Sequence, residues 1–318
     1  MERNLALELV RVTEAAALAA ARENGRGDEM APERAAAQAI SHAFTAVGAF
    51  QGEIVLGDAV HGVGDALITG TRLGSSGVEV EVAVDALEGA TSCALGGPNA
   101  MCIMALADVG SFLRCPQGSY MDKIAVGPDG VGVVDLDLSP AENLRRLAEV
   151  RKCYVEDLTV VILDRPRHDA LIEQVREAGA RVRLIPHGDV AAAMATGKED
   201  SGVDLLLGTG GATQGIVSAV AIKCLGGFMQ CRFVPRGNTD RDELYRLGIK
   251  DASVKLDIED MARGNVMLAA TGVTDGAFLK GVKFTKGGAI SNSVVMRSQS
   301  GTVRYLETHH RFEFKPSY

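Results

Sequence analysis

The chain has 318 residues, enough for one large or two modest domains with a sizeable buried core. Its formal net charge of −8 argues against nucleic-acid binding, which needs a basic face, and the absence of Trp leaves few base-stacking platforms. No apolar run approaches the roughly 20 residues that span a bilayer, no signal peptide is legible, and the six cysteines (93, 102, 115, 153, 224, 231) form no CxxC pair. These features predict a cytoplasmic protein with reduced, mostly buried thiols that acts on a small molecule, with no nucleic-acid or membrane partner.

In chain order, residues 4–24 are Ala- and Leu-rich and predict a helix stopped by Gly25. Pro32 opens a second helix to about Val47. Short strands are expected at 53–57, 66–69, 78–84 and 101–107, separated by turn glycines. Ser139-Pro140-Ala141-Glu142 is a capping box that starts a helix running to about Val150. From 158 the rhythm changes to LTVVIL, a helix at 168–178, RVRLI, a helix at 189–196, VDLLL and a helix at 214–225. Strand and helix alternating at these lengths predict a parallel α/β sheet, with ligands beyond the carboxyl ends of its strands. Residues 235–250 read as a polar surface excursion, and further strands are expected at 265–271, 293–297 and 302–308. The domain boundary is placed near Lys152, giving 1–152 as an α+β metal-binding domain and 153–318 as an α/β substrate-binding domain.

The chemistry concentrates in VEVEVAVDALEGAT. Val78, Val80, Val82 and Val84 alternate with Glu79, Glu81 and Ala83, the pattern of a strand with one buried face. It is expected to stop at Asp85-Ala86-Leu87-Glu88-Gly89, where two carboxylates three positions apart can aim at one point. Hard oxygen ligands of that kind suit Mg²⁺ or Mn²⁺. Asp28 follows the first helix in GRGD, and Asp58 follows EIVLG at a Gly-Asp turn. RPRHD (165–169), HGDVA (187–191) and GTGGATQG (208–215) each end a predicted strand, so all three are expected in one crevice. Guanidinium forks such as Arg165 and Arg167 match phosphate oxygens, and the glycine-rich turn can cradle an anion at a helix start. Asp189 can accept from a sugar hydroxyl or cap a helix, and His168 can line the crevice or be structural.

Taken in order, these motifs resemble the class II fructose-1,6-bisphosphatases of the lithium-sensitive, metal-dependent phosphatase superfamily. The resemblance runs from ELVRVTEAAALAA to VMRSQSGTVRYLE, and ILDRPRH, GVTDGAFLKGV and MRSQSGTVR are similar to the actinobacterial branch. It implies a layered α-β-α-β-α sugar phosphatase fold, a mixed-sheet domain plus an α/β domain, and a homo-oligomer, dimer or tetramer. It also implies a metal site of Asp28, Asp58, Asp85, the Leu87 carbonyl and Glu88. A phosphorylated sugar would be held by Tyr120, Lys123, Arg165, Arg167, His187, Asp189, Gly210 and Gln214.

The chain departs from the family pattern at definite places. Ala86 and Ala90 stand where the family has Pro and Thr, so Thr91 is the adjacent hydroxyl and the catalytic candidate beside Asp85 and Glu88. Gln214 replaces a glutamate ligand, and His187 replaces an aspartate. Loss of a positioned catalytic group costs on the order of 10²–10⁴ in rate. The expected activity is therefore a metal-dependent phosphatase on a sugar (bis)phosphate, with specificity shifted from fructose 1,6-bisphosphate. A non-hydrolytic isomerase, epimerase or lyase, with His187 or His168 as base, and a phosphatase-dead sugar-phosphate-binding protein remain open.

Overall fold

A computed structural model describes residues 5–57 and 67–314. In chain order the elements are α1 (Leu5–Ala21), α2 (Ala31–Val47), β1 (Phe50–Leu56), β2 (Arg72–Leu73), β3 (Val78–Glu88), α3 (Ala90–Ala94), β4 (Met101–Ala107) and β5 (Tyr120–Val126). There follow α4 (Pro140–Arg151), β6 (Thr159–Leu163), α5 (Asp169–Glu177), β7 (Arg181–Ile185), α6 (Asp189–Thr196), β8 (Leu205–Gly211), α7 (Ala212–Leu225) and β9 (Phe228–Phe233). The last are α8 (Asn238–Arg246), α9 (Ile258–Met261), β10 (Val266–Gly272), β11 (Lys283–Thr285), β12 (Gly288–Arg297) and β13 (Thr302–Arg311). The class is α/β, with two mixed sheets and their helices.

Two compact units divide the chain, one of Met1–Phe112 with Gly264–Tyr318 and one of Leu113–Arg263. The boundary expected near Lys152 therefore differs from the division seen. Lys152 is the left-handed C-cap of α4, inside the second unit. The reason is packing: Leu144 and Leu147 of α4 share one core with Ile124 and Val126 of β5 and Val160 and Ile162 of β6.

In the first unit the sheet order is β11-β12-β10-β4-β3-β1-β2, with β13 on the other edge of β12. Among its described strands only β1 and β3 pair in parallel. Gly52 permits that neighbourhood, since a Cβ there would stand 2.1 Å from the Val80 carbonyl oxygen. Leu9, Val12 and Ala16 of α1 and Ile40 and Phe44 of α2 cover one face, packed on Val82, Met104 and Val295. The strand expected at 66–69 is not formed by Leu67, Ile68 and Thr69, and β2 comes later, at Arg72–Leu73. The alternation in β3 does not expose Glu81, which is 3 % exposed and accepts the Ser111 and Phe112 amides at 3.0 Å each.

In the second unit the order is β7-β6-β8-β5-β9. β7, β6 and β8 are parallel as expected, but β5 runs antiparallel to both its neighbours, β8 and β9, so the sheet is mixed. β9 pairs with β5 through alternately buried residues, a pattern too short to separate from the flanking loops by sequence alone. The polar 235–250 stretch contains a helix, α8, which buries only Leu244.

Candidate functional site

In the second unit the three expected motifs end three adjacent strands. RPRH follows β6, the central one, and its side chains reach both neighbours. Arg165 donates through Nη1 to the Asp164 carbonyl (2.7 Å) and through Nη2 to that of Pro186 (2.6 Å), after β7. Nη2 also lies 3.5 Å from His187 Nδ1. Arg167 donates from Nε (3.1 Å) and Nη2 (2.8 Å) to the Thr209 carbonyl on β8. Its guanidinium carbon stands 5.3 Å from the centre of the Tyr120 ring, a cation–π distance.

The Thr209 peptide is held from its other side by His168. The imidazole is 2 % exposed, with Nδ1 2.7 Å from the Leu163 carbonyl and Nε2 accepting the Thr209 amide at 2.8 Å. Both ring nitrogens are therefore engaged in the neutral form, and burial, followed by the Arg167 charge, lowers its pKa below 6.5. Thr209 Oγ1 completes the clamp by donating to Asp122 at 2.5 Å. His168 is thus a bracket between strand ends and is no candidate base.

Lys123 and Asp189 form a buried ion pair, Lys123 being 2 % exposed and Asp189 7 %. Asp189 is the first residue of α6, Gly188 takes the left-handed cap position, and the Asp189 carboxylate turns to Lys123 rather than capping. Gly210 lies against this pair: a Cβ there would stand 2.6 Å from Asp189 Oδ2 and 3.1 Å from Lys123 Nζ. Gln214, in the first turn of α7, folds back so that its Oε1 would meet a Cβ on Gly211 at 2.2 Å. The first amide of α7, that of Ala212, is already bonded to the Ser119 carbonyl at 2.8 Å. Burial pushes the neighbouring Cys231 thiol up to about 12, which leaves it unreactive.

Nothing in the local sequence marks Arg236 as a site residue. Its guanidinium carbon lies 4.7 Å from the Tyr120 ring centre, while Nη2 donates to the Gly118 carbonyl (2.9 Å) and Nε to Asp240 (3.2 Å). Its place in a polar excursion hid it, since only the tertiary fold brings that stretch back to β5.

In the first unit, β3 continues through the predicted turn to Glu88. Asp85 pairs with Ile103 and Glu88 with Met101, so Ala86 and Leu87 together oppose one residue, Cys102, in a β-bulge. Cross-strand partners share a face, and Ile103 and Met101 are two apart. The extra residue therefore puts Asp85 and Glu88 on the same face, which a regular strand with three-residue spacing would not do. Glu88 is 5 % exposed, and Gly89 turns the chain at φ 80° into α3. Thr91 Oγ1 donates to Glu29 at 3.3 Å.

Asp28 is an exposed turn residue: Oδ1 accepts the amides of Met30 (2.9 Å) and Ala31 (3.2 Å), and Oδ2 pairs with Arg34 at 3.1 Å. Those amide bonds, first, and Arg34 lower its pKa. Asp58 lies outside the described residues. Among the described residues no group of three or more His, Cys, Asp or Glu side chains is arranged to hold a metal ion. No helix among them is long and apolar enough to cross a membrane.

Compared with known proteins, the chain matches over residues 3–310 the family described as "Bacterial fructose-1,6-bisphosphatase, glpX-encoded". It is 37 % identical over 336 residues to the D-fructose 1,6-bisphosphatase class 2/sedoheptulose 1,7-bisphosphatase of Synechococcus sp. (strain JA-2-3B'a(2-13)), covering 98 % of this chain and 96 % of the relative. It is also 37 % identical over 339 residues to the protein of the same description from Synechococcus elongatus (strain ATCC 33912 / PCC 7942 / FACHB-805), covering 98 % of each.

Proposed function

The chain belongs to the glpX-encoded, class II family of bacterial fructose-1,6-bisphosphatases, which are phosphoric monoester hydrolases, and from that premise we propose a sugar bisphosphate phosphatase with shifted specificity. Its substrates are sugar bisphosphates of the fructose 1,6- and sedoheptulose 1,7-bisphosphate kind, and its preference lies away from the first. The observation that supports this most directly is Arg167, anchored on the Thr209 carbonyl beside Tyr120. An anchored guanidinium meets a phosphate with little entropy left to lose.

Arg167 and Arg165 bind phosphate, with the Tyr120 hydroxyl beside them. Asp189, fixed by Lys123, accepts from a sugar hydroxyl, and Gly210 leaves room for that carboxylate. Lys123 is a positioning residue, because its charge is spent on Asp189 out of contact with solvent. His187, beside Arg165, contributes a contact to the sugar.

Mg²⁺ or Mn²⁺ fits the donors on β3, where the bulge turns two carboxylates to one face and sets Leu87 outside the regular register. Asp85, Glu88 and Leu87 would hold it, with Asp28 and Asp58 as further oxygen donors; when bound, it supplies Lewis-acid stabilisation of phosphoryl charge. Asp28 joins only by giving up its turn or its Arg34 pairing. The shift in preference rests on Ala90, which carries no hydroxyl, on Thr91, whose hydroxyl faces Glu29, and on Gln214, a neutral donor.

The deciding experiment incubates the protein with fructose 1,6-bisphosphate, sedoheptulose 1,7-bisphosphate and sugar monophosphates in Mg²⁺ or Mn²⁺. Released phosphate and product mass are both recorded. Metal-dependent release, abolished in Asp85→Asn, supports the reading, and Ala90→Thr with Gln214→Glu is expected to raise turnover of fructose 1,6-bisphosphate. Products of unchanged mass, or no release from any substrate, would overturn it.

A further inference from the structure

Apart from every residue above, the first unit holds a cavity of ≈ 700 Å³ between the first turns of α1 and the β12–β13 hairpin. Its polar lining is Glu8 and Arg11 from α1 and Arg297, Ser300, Thr302 and Arg304 from the hairpin. The sheet register explains why these side chains converge. Arg297 pairs with Thr302 and Val295 with Arg304, so Arg297, Thr302 and Arg304 share the face on which Val295 joins the core under α1. That face is covered by α1 further along the strands and is left open at their hairpin end.

Three guanidinia against one carboxylate leave the cavity a local charge of +2, in a chain whose net charge is −8. Two of the arginines are braced, Arg11 by Glu8 at 2.9 Å and Arg297 by Gln299. Arg304 is exposed and makes no ion pair among the described residues. The Ser300 and Thr302 hydroxyls add neutral donors, and Gly301 (φ 57°) makes the tight turn between them. A phosphate monoester carries about −1.5 to −2 at neutral pH, which matches this charge. The volume falls in the range of about 300–1,000 Å³ typical of small-ligand pockets, so there is room for an organic body beside the phosphate.

We propose that this cavity is a second anion site, binding a phosphate monoester of small-metabolite size through Arg297 and Arg304. It lies wholly within the first unit and does not depend on the function proposed above. The test titrates ribose 5-phosphate by calorimetry into the Arg167→Ala protein, whose proposed substrate phosphate contact is removed. Saturable binding is expected there, weakened about tenfold or more by adding Arg304→Gln, with neutral ribose giving none. If Arg304→Gln lowers the melting temperature, Arg297→Gln is judged by the same criterion. No saturable binding in Arg167→Ala, an affinity indifferent to the cavity substitutions, or equal binding of ribose overturns the proposal. Wild-type binding lost only through Arg167→Ala would leave the proposed function standing while removing this site.

Discussion

Arg167 commits only part of its donors to the fold. Two nitrogens grip the Thr209 carbonyl, while Nη1 makes no hydrogen bond among the described residues. Arg167→Ala is expected to weaken sugar-phosphate binding roughly 10- to 100-fold, since a charge-assisted contact is worth about 1.5–3 kcal/mol. An exposed side chain contributes little to the core, so the melting temperature should barely change; a large drop would mark the residue as structural. His168 predicts the opposite kind of effect. Its pKa is lowered in the folded state, so the unfolded chain takes up a proton first as pH falls below 6.5. Stability from this group is complete above 6.5 and is lost as pH falls from there towards the lowered folded value. Urea unfolding across pH 7 to 5 should therefore show a steeper loss in wild type than in His168→Asn. Parallel profiles would mean that the imidazole is not held neutral.

At the scale of elements, the β3 bulge and the α4 cap show two ways in which local sequence acts. Ser139 accepts the Glu142 amide at 3.2 Å, and Pro140 takes the first helical position, where its missing N–H costs nothing. Ser139→Ala should cost about 1 kcal/mol of unfolding free energy in chemical denaturation, with phosphate release unchanged. The β3 bulge has no such local signature. DALEG reads as a turn because Asp and Gly are depleted in strands and common in turns, yet its apolar Ala86 and Leu87 are buried and the strand continues. Pairing with β4 decided this, because Met101 accepts a partner only if β3 reaches Glu88.

At the scale of the whole molecule, the second unit is one continuous stretch, Leu113–Arg263, with its own five-stranded sheet and core. The first is assembled from both ends of the chain: β4 pairs on one side with β3 and on the other with β10, its partners standing 159 (Ala107 and Val266) to 171 (Met101 and Gly272) positions later in sequence. Residues 113–263 expressed alone should melt cooperatively with α/β circular dichroism. Residues 1–112 alone should not, because an open β4 edge and half a core cannot offset the entropy of ordering. A cooperative melt of 1–112 would show that β10 and β12 are dispensable.

Helices α1, α2 and α4 and the parallel strands β6, β7 and β8 were legible in the sequence, because periodicity, proline and caps act over a few residues. So were the motifs at the strand ends, since in parallel α/β units the loops after successive strands fall on one side. What the tertiary structure alone decided involves partners far apart in the chain. It turned Lys123 onto Asp189, closed His168 between Leu163 and Thr209, and brought Arg236 to Tyr120. It also drew the C-terminal strands into the first unit, which no composition shift near Lys152 could reveal. A charged side chain carries no mark of whether its counter-charge lies in solvent, in a ligand or 66 residues away, as it does for Lys123 and Asp189. Burial settles that choice, by making an unpaired charge too costly to keep.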